Sequence, residues 1–275
     1  MLNMVSLLCI STGVGFLGSL IGLGGAAILT PILVFMGIPI KEAIACGMVT
    51  IIATSSGSAS SYVRERITNV KIAMYLEMFT ITGAIAGATV TAIIAPVYLY
   101  FFFAAFLLTS FARVRTIGHE FVPSMSHDSL SRWLGLSGSY FDRATGKVVE
   151  YKVDHALLGG LGMTVAGFAA GMLGIGAGAF KVTVQENILK MPPKVSSTTS
   201  NFIIGMTALA GASVYLFSGL LNLTLVVPMA IGTSIGAIIG GRLLNRLSNR
   251  SLRILFYIVV AFLIVQMLYK GVTSI

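Results

Sequence analysis

Gly22-Leu23-Gly24-Gly25-Ala26 interrupts an apolar run over residues 4–36, and 152 residues later Gly174-Ile175-Gly176-Ala177-Gly178 interrupts a second apolar run over 156–189. The echo extends outward from these motifs. Gly15-Phe16 recurs as Gly167-Phe168, Thr54 as Thr207, Tyr62 as Tyr215 and Asn69 as Asn222, at separations of 152 or 153 residues. Gly83-Ala84-Ile85-Ala86-Gly87 recurs in the same register as Gly236-Ala237-Ile238-Ile239-Gly240. A register held over so long a stretch marks an internal repeat, a common construction of transporters.

The composition gives the environment of this repeat. Hydrophobic residues make up 56% of the 275-residue chain and charged residues 10%, where soluble domains carry about 25% charge. The mean hydropathy is +0.94. So much apolar surface has no interior large enough to hide it, and a lipid bilayer is the solvent that buries it. Disorder is excluded by the lack of charge, and a disulfide scaffold by a count of two cysteines. The chain is therefore expected to be an all-α polytopic membrane protein.

Charge divides the chain into three. Residues 113–155 hold eleven of the 27 charged residues, all three histidines and the single tryptophan. They form a polar linker between membrane repeat 1 (1–112) and membrane repeat 2 (156–275). Within the linker, Tyr140-Phe141-Asp142 and Val148-Val149-Glu150-Tyr151 flank the turn-like Arg143-Ala144-Thr145-Gly146, which predicts a short β-hairpin.

The remaining apolar segments are 43–62, 71–95 and 97–112 in the first half, and 195–217, 222–241 and 252–269 in the second. Most approach the roughly 20 residues that span a bilayer. The first segment of each half is too long. It divides into an arm of about 18 residues, a glycine break and an arm of about 11, the shorter covering only about 16 Å at 1.5 Å per residue.

The net charge of +9 suits nucleic acid or the positive-inside bias of membrane loops; with this hydropathy it reports the second. If 4–36 and 156–189 each return to their side of entry, fifteen basic loop residues share one face and only Lys41 and Lys270 lie on the other. Single crossings leave almost no bias. Each repeat is thus a re-entrant hairpin or broken helix pair plus three transmembrane helices. The odd number of crossings inverts the second repeat relative to the first. The protein is expected in the cell (plasma or inner) membrane, with the linker cytoplasmic and both termini outside.

Inverted hairpins bring their tips together near the midplane. The tip residues Gly22, Gly24, Gly25 and Ala26, with Gly174, Gly176, Ala177 and Gly178, are the candidate substrate-binding backbone. Glycine permits unusual dihedrals, and helix N-termini favour anions. Close packing without ligand contact is the bland alternative. Hydroxyls follow in the next segments: Thr54 and Ser55, then Thr199 and Ser200, with Asn201 beside them. They supply donors to an oxyanion or act as helix–helix glue. Lys181, three residues past the second tip, is a candidate anion-attracting cation. Glu77 is its candidate neutralising, coupling or proton-relaying partner.

Other patterns carry no chemistry. Gly13-Val14-Gly15-Phe16-Leu17-Gly18 imitates a dinucleotide fingerprint but lacks the preceding strand. The membrane segments hold no histidine, which disfavours haem, metalloprotease and Ser–His chemistry. No enzyme activity, metal, cofactor or nucleic-acid partner is expected. The expected partners are a small anion, the bilayer and a coupling ion, proton or sodium.

In Gly22-Leu23-Gly24-Gly25-Ala26 with Pro31, Lys41-Glu42-Ala43-Ile44-Ala45, Thr54-Ser55-Ser56, Gly174-Ile175-Gly176-Ala177-Gly178 with Lys181, and Thr199-Ser200-Asn201-Phe202, the sequence resembles the TauE/SafE sulfite exporter (TSUP) family of membrane permeases. The resemblance covers nearly all of the chain outside 113–155. It implies transport of small sulfur oxyanions or organosulfonates coupled to an ion gradient. The chain departs from the family pattern at Ala26 and Ala177, where glycine is frequent, and at Thr183, where proline is usual. A secondary anion transporter is the first expectation, an anion channel of similar build the second. A membrane-embedded enzyme is disfavoured, and a sensor or assembly subunit acting through the linker is a further class.

Overall fold

The computed structural model describes residues 4–21, 25–64, 68–114, 128–142, 147–244 and 249–273, and the structural statements below concern these. The chain is mostly helical. In the first half α1 (Met4–Ile21) and α2 (Gly25–Phe35) flank the first glycine break, and α3 (Ile40–Arg64), α4 (Val70–Ile93) and α5 (Pro96–Val114) follow. The linker contributes a short helix α6 (Ser129–Trp133) and the strands β1 (Ser137–Asp142) and β2 (Lys147–Lys152). In the second half α7 (Ala156–Leu173) and α8 (Gly178–Thr183) flank the second break, and a π-helical turn (Val184–Ile188) prolongs α8. The chain then forms α9 (Pro193–Phe217), α10 (Leu223–Leu244) and α11 (Asn249–Thr273). Among the described residues three helices, α4, α7 and α9, are long and apolar enough to cross a membrane.

The packing is that of a membrane protein, with many large apolar side chains exposed and glycines at helix contacts. On α7, Leu157, Leu161, Val165 and Phe168 form an exposed stripe at helical spacing, while Gly159, Gly160, Gly167 and Gly171 face neighbouring helices. Lipid tails are as apolar as leucine, so burying leucine brings no gain there. Close backbone approach is what holds the helices together.

These approaches are reciprocal between the halves. α1 packs along α10 and α7 along α4, while α3 meets α9 and α5 meets α11. A Cβ at Gly15 would strike the Thr233 carbonyl, and one at Gly167 the Thr80 carbonyl. A Cβ at Gly236 would strike Thr12 O, and one at Gly83 would strike Thr164 O. Each residue in one pair lies 152 or 153 positions from its counterpart in the other.

The expected β-hairpin is present. β1 and β2 pair antiparallel with Tyr140 opposite Val149 and Phe141 opposite Val148; the turn 143–146 lies outside the described residues. The hairpin is docked on the helices. Asn69 caps α4 by accepting from the Ile72 N–H (3.1 Å), and its amide donates to Ser137 O (3.2 Å) and the Tyr151 hydroxyl (3.1 Å). Tyr140 and Tyr151 are buried in one apolar cluster with Ile72 and Leu76 of α4, Leu189 and Met191 after the π-turn, and Val195 of α9. Burial holds the Tyr151 phenol above its ordinary pKa, with the Asn69 bond opposing.

Two glycines separate close packing from chance composition. Gly167→Ala is expected to lower stability by about 1–3 kcal/mol, because its methyl meets fixed backbone. Gly13 faces open space, so Gly13→Ala is expected to be neutral or to stabilise its helix by about 0.5–1 kcal/mol. Thermal unfolding in detergent checks both, and equal behaviour of the two variants would remove the packing role.

Candidate functional site

The second tip is built by local dihedrals. Gly174 ends α7 in the left-handed region (φ 66°), its N–H donating to Ala170 O (2.9 Å). Gly176 follows at φ 71° and Ala177 at φ 47°. At Ala177 an L side chain sits where glycine is at ease, which costs about 1–2 kcal/mol. The departure at Ala177 noted in the sequence thus falls on a strained residue. Beyond it α8 runs for only six residues before widening into the π-turn, so the eleven-residue second arm is not one regular helix. The first arm, α2, is regular over its eleven residues despite Pro31, whose carbonyl accepts from Gln266 Nε2 (2.7 Å).

A helix that ends buried in the protein leaves carbonyls in need of other donors. Side chains from other helices take them up. The Tyr215 hydroxyl donates to Gly171 O (2.5 Å) and the Thr91 hydroxyl to Met172 O (2.8 Å). With Ala170 O bonded by Gly174 N–H, three of the last four carbonyls of α7 are satisfied.

The first arm and the second tip meet at α3. A Cβ at Gly47 would lie 2.8 Å from Thr30 Oγ1, 3.0 Å from Gly174 O and 3.4 Å from Ala26 Cβ. The first arm and the second tip therefore close on one glycine. Gly176 is bounded by Ile51 of α3 and Ile204 of α9, and Gly178 by Ile204 and Ser200. Gly25 lies near Gly15 and Thr233. Gly22 and Gly24 lie outside the described residues.

The candidate hydroxyls divide. Thr54 Oγ1 donates to its own helix at Thr50 O (3.1 Å) or Ile51 O (3.2 Å), and Ser55 Oγ to Ile52 O (3.3 Å). Ser200 Oγ donates to Gly178 O (3.3 Å), tying α9 to the tip. The Thr54 and Ser55 bonds lie within α3, and only that of Ser200 joins two elements. Thr199 differs: its hydroxyl is buried and has no hydrogen-bond partner. Asn201 is half-buried on the same helix.

Lys181 and Glu77 converge. Lys181 is fully buried, and its Nζ donates to Thr207 Oγ1 (2.8 Å). Thr207 Oγ1 also lies 3.5 Å from Glu77 Oε1 and 3.2 Å from Thr80 Oγ1. One hydroxyl thus stands between the cation and the carboxylate, joining α8, α9 and α4. Glu77 Oε2 is buried without a partner. Opposite charges at this spacing in a low-dielectric interior hold one another, and neither is tolerable alone. Thr80, Thr91 and Gln185 were not among the expected site residues. Thr80 and Thr91 sit at helical spacing with the packing glycines Gly83 and Gly87, a pattern that reads as glue.

Tyr215→Phe is expected to strand the Gly171 carbonyl and lower stability by about 1 kcal/mol, between the membrane and soluble values for such a bond. Tyr98→Phe, at an exposed phenol, serves as the neutral control. Equal melting temperatures in detergent for the two variants would show that the bond does not support the break.

The sulfite exporter TauE/SafE family model matches residues 7–267. A protein of Bacillus subtilis (strain 168) called probable membrane transporter protein YunE is 24% identical over 282 residues, covering 99% of this chain and 100% of the relative. No solved structure matches. The match over residues 7–267 carries the assignment: the chain belongs to the TauE/SafE sulfite exporter family.

Proposed function

We propose that this chain is a secondary transporter of a small anion, sulfite or an organosulfonate being the favoured class. It works by alternating access of two inverted repeats about the paired glycine tips. The observation that carries this reading is the convergence of Ala26 and Gly174 on Gly47, with the fully buried Lys181 just beyond the second tip. The reciprocal packing of α1 on α10 and α7 on α4 supports two repeats that exchange helices, so that the bodies which rock each combine helices of both halves. The family's description as sulfite exporters and the relative's name as a probable membrane transporter support transport over enzyme activity. Glu77, held to Lys181 through Thr207, is the proposed coupling residue, with a proton or sodium as the driving ion. Substrate occupies the space bounded by the second tip, α3 and α9.

Purified protein in liposomes is expected to give saturable sulfite flux that responds to an imposed proton or sodium gradient. A channel passes unsaturable current instead. Gly176→Val places a branched side chain at φ 71°, 3.0 Å from Ile204. It is expected to abolish flux while the protein still inserts, and full activity would sink the role of the tip.

The proposed membrane is the cell membrane, with the linker 113–155 cytoplasmic and both termini outside. The support is the fifteen-to-two distribution of basic loop residues. A cysteine introduced in 63–71 is expected to be shielded from an impermeant external reagent, and one in 218–222 to be labelled. The opposite pattern would reverse the orientation.

A further inference from the structure

Gln185 is fully buried in the π-turn, and neither its amide oxygen nor its amide nitrogen has a hydrogen-bond partner within the protein. A buried amide left so is destabilising by about as much as a lost bond at each end, so it calls for a role. Its position suggests one. Gln185 stands four residues after the fully buried Lys181, one turn further along the same arm. The connection 189–192 leads from this arm into α9, and Gly178 at the arm's far end meets Ser200 and Ile204. Arm and α9 therefore run side by side in opposite directions. Thr199, whose buried hydroxyl also has no partner, lies in the part of α9 that the arm covers.

The chemistry of these groups specifies a ligand. Lys181, Thr199 and Gln185 Nε2 offer hydrogens. Gln185 Oε1 offers only lone pairs, as does the partnerless Glu77 Oε2. An oxyanion without a hydrogen satisfies the donors and turns lone pairs against the acceptors. The charge count agrees. Lys181 is opposed by Glu77 across Thr207, so the pair has no net charge and every negative charge on a ligand is uncompensated, which disfavours a dianion relative to a monoanion. The other elements around the arm add no second cation at this level. α7 has no ionisable side chain, and α9 has Lys194 at its exposed start and Tyr215 on the Gly171 carbonyl. The arm itself adds the half-buried Glu186.

We propose that Gln185 is a specificity residue that selects the singly protonated oxyanion. The transported species is hydrogen sulfite in its hydroxyl form, which donates one hydrogen bond and accepts others, rather than the sulfite dianion. This rests on the function proposed above and sharpens its substrate.

The test uses full-length protein in liposomes, with the same pH on both sides and sulfite as the probe. Initial wild-type rates at fixed total sulfite are expected to fall with the hydrogen sulfite fraction as pH rises. Methanesulfonate, a monoanion with no hydrogen to donate, is expected to compete at least about tenfold more weakly than hydrogen sulfite, since sites built around a substrate hydroxyl reject analogues lacking it. Gln185→Met keeps the side-chain length. It is expected to raise KM for sulfite about tenfold and to erase the discrimination against methanesulfonate; a merely structural amide leaves that ratio unchanged. Should Gln185→Met fail to insert, the pH profile and the competition on wild type decide alone. Saturable flux that tracks the dianion, or methanesulfonate competing equally in wild type, overturns the inference and leaves the transporter standing. Absence of saturable sulfite flux at every pH overturns the transporter reading itself.

Discussion

The bonds that Tyr215 and Thr91 make to the end of α7 are the constraint on which the rest of the structure depends. The end of α7 is buried in the protein, where carbonyls that no water reaches are costly if left without a donor. The break after Leu173 exists only because α4 and α9 bring hydroxyls to it. That requirement fixes the neighbours of α7 on both sides. It also forces α7 close to both, which is why Gly167 and Gly171 face carbonyls of α4 and why Gly171 lies 3.8 Å from the Cβ position of Gly211 on α9.

Close approach then sets the sequence of the whole bundle. α1 and α7 carry glycines where their partners present backbone oxygen, and α4 and α10 carry them in return. Large apolar side chains also cover the outer faces, as on α7 and along Ile258, Phe262, Val265 and Tyr269 of α11. Asn69 and Asn222 show the same economy at the helix starts: each side chain accepts a backbone N–H two or three residues on, and Asn69 in addition holds the hairpin. The hairpin's buried tyrosines share a cluster with Leu189 and Met191, so the polar linker is anchored to the end of the second arm.

Local chemistry was legible in the sequence; long-range pairing was not. Hydropathy and the glycine motifs placed α2 at Gly25–Phe35 and the end of α7 beside Gly174, and the alternation around Arg143–Gly146 placed both strands. The meeting of Lys181 with Glu77 was expected as a pair, because two buried charges in so apolar a setting have few alternatives. The hydroxyl that joins them, Thr207, stands out in the sequence only as the repeat counterpart of Thr54. Thr207 lies 130 residues from Glu77, and it also donates to Ile203 O of its own helix (2.8 Å), so nothing local marks it as a residue that stands between charges. The same holds for Thr91, 81 residues from Met172. The π-turn escaped because its register shift shows in the backbone bond from Leu189 N–H to Val184 O, not in composition.

The repeat duplicates the scaffold without duplicating the chemistry. At the repeat interval, Lys181 corresponds to Leu29 and Gln185 to Leu33, and both leucines are fully buried in the apolar cluster of the first arm. The regular helix α2 follows from that apolar content, with no polar side chain to accommodate except Thr30 beside Gly47. The second arm carries a lysine, a glutamine and a glutamate within six residues, and it is this arm that shortens and widens. A π-turn lengthens the path per turn and shifts the side chains after it, so it re-aims polar groups that a regular helix would place elsewhere. The two arms thus have equal length and opposite character, the first apolar apart from Thr30 and the second carrying the buried Lys181 and Gln185.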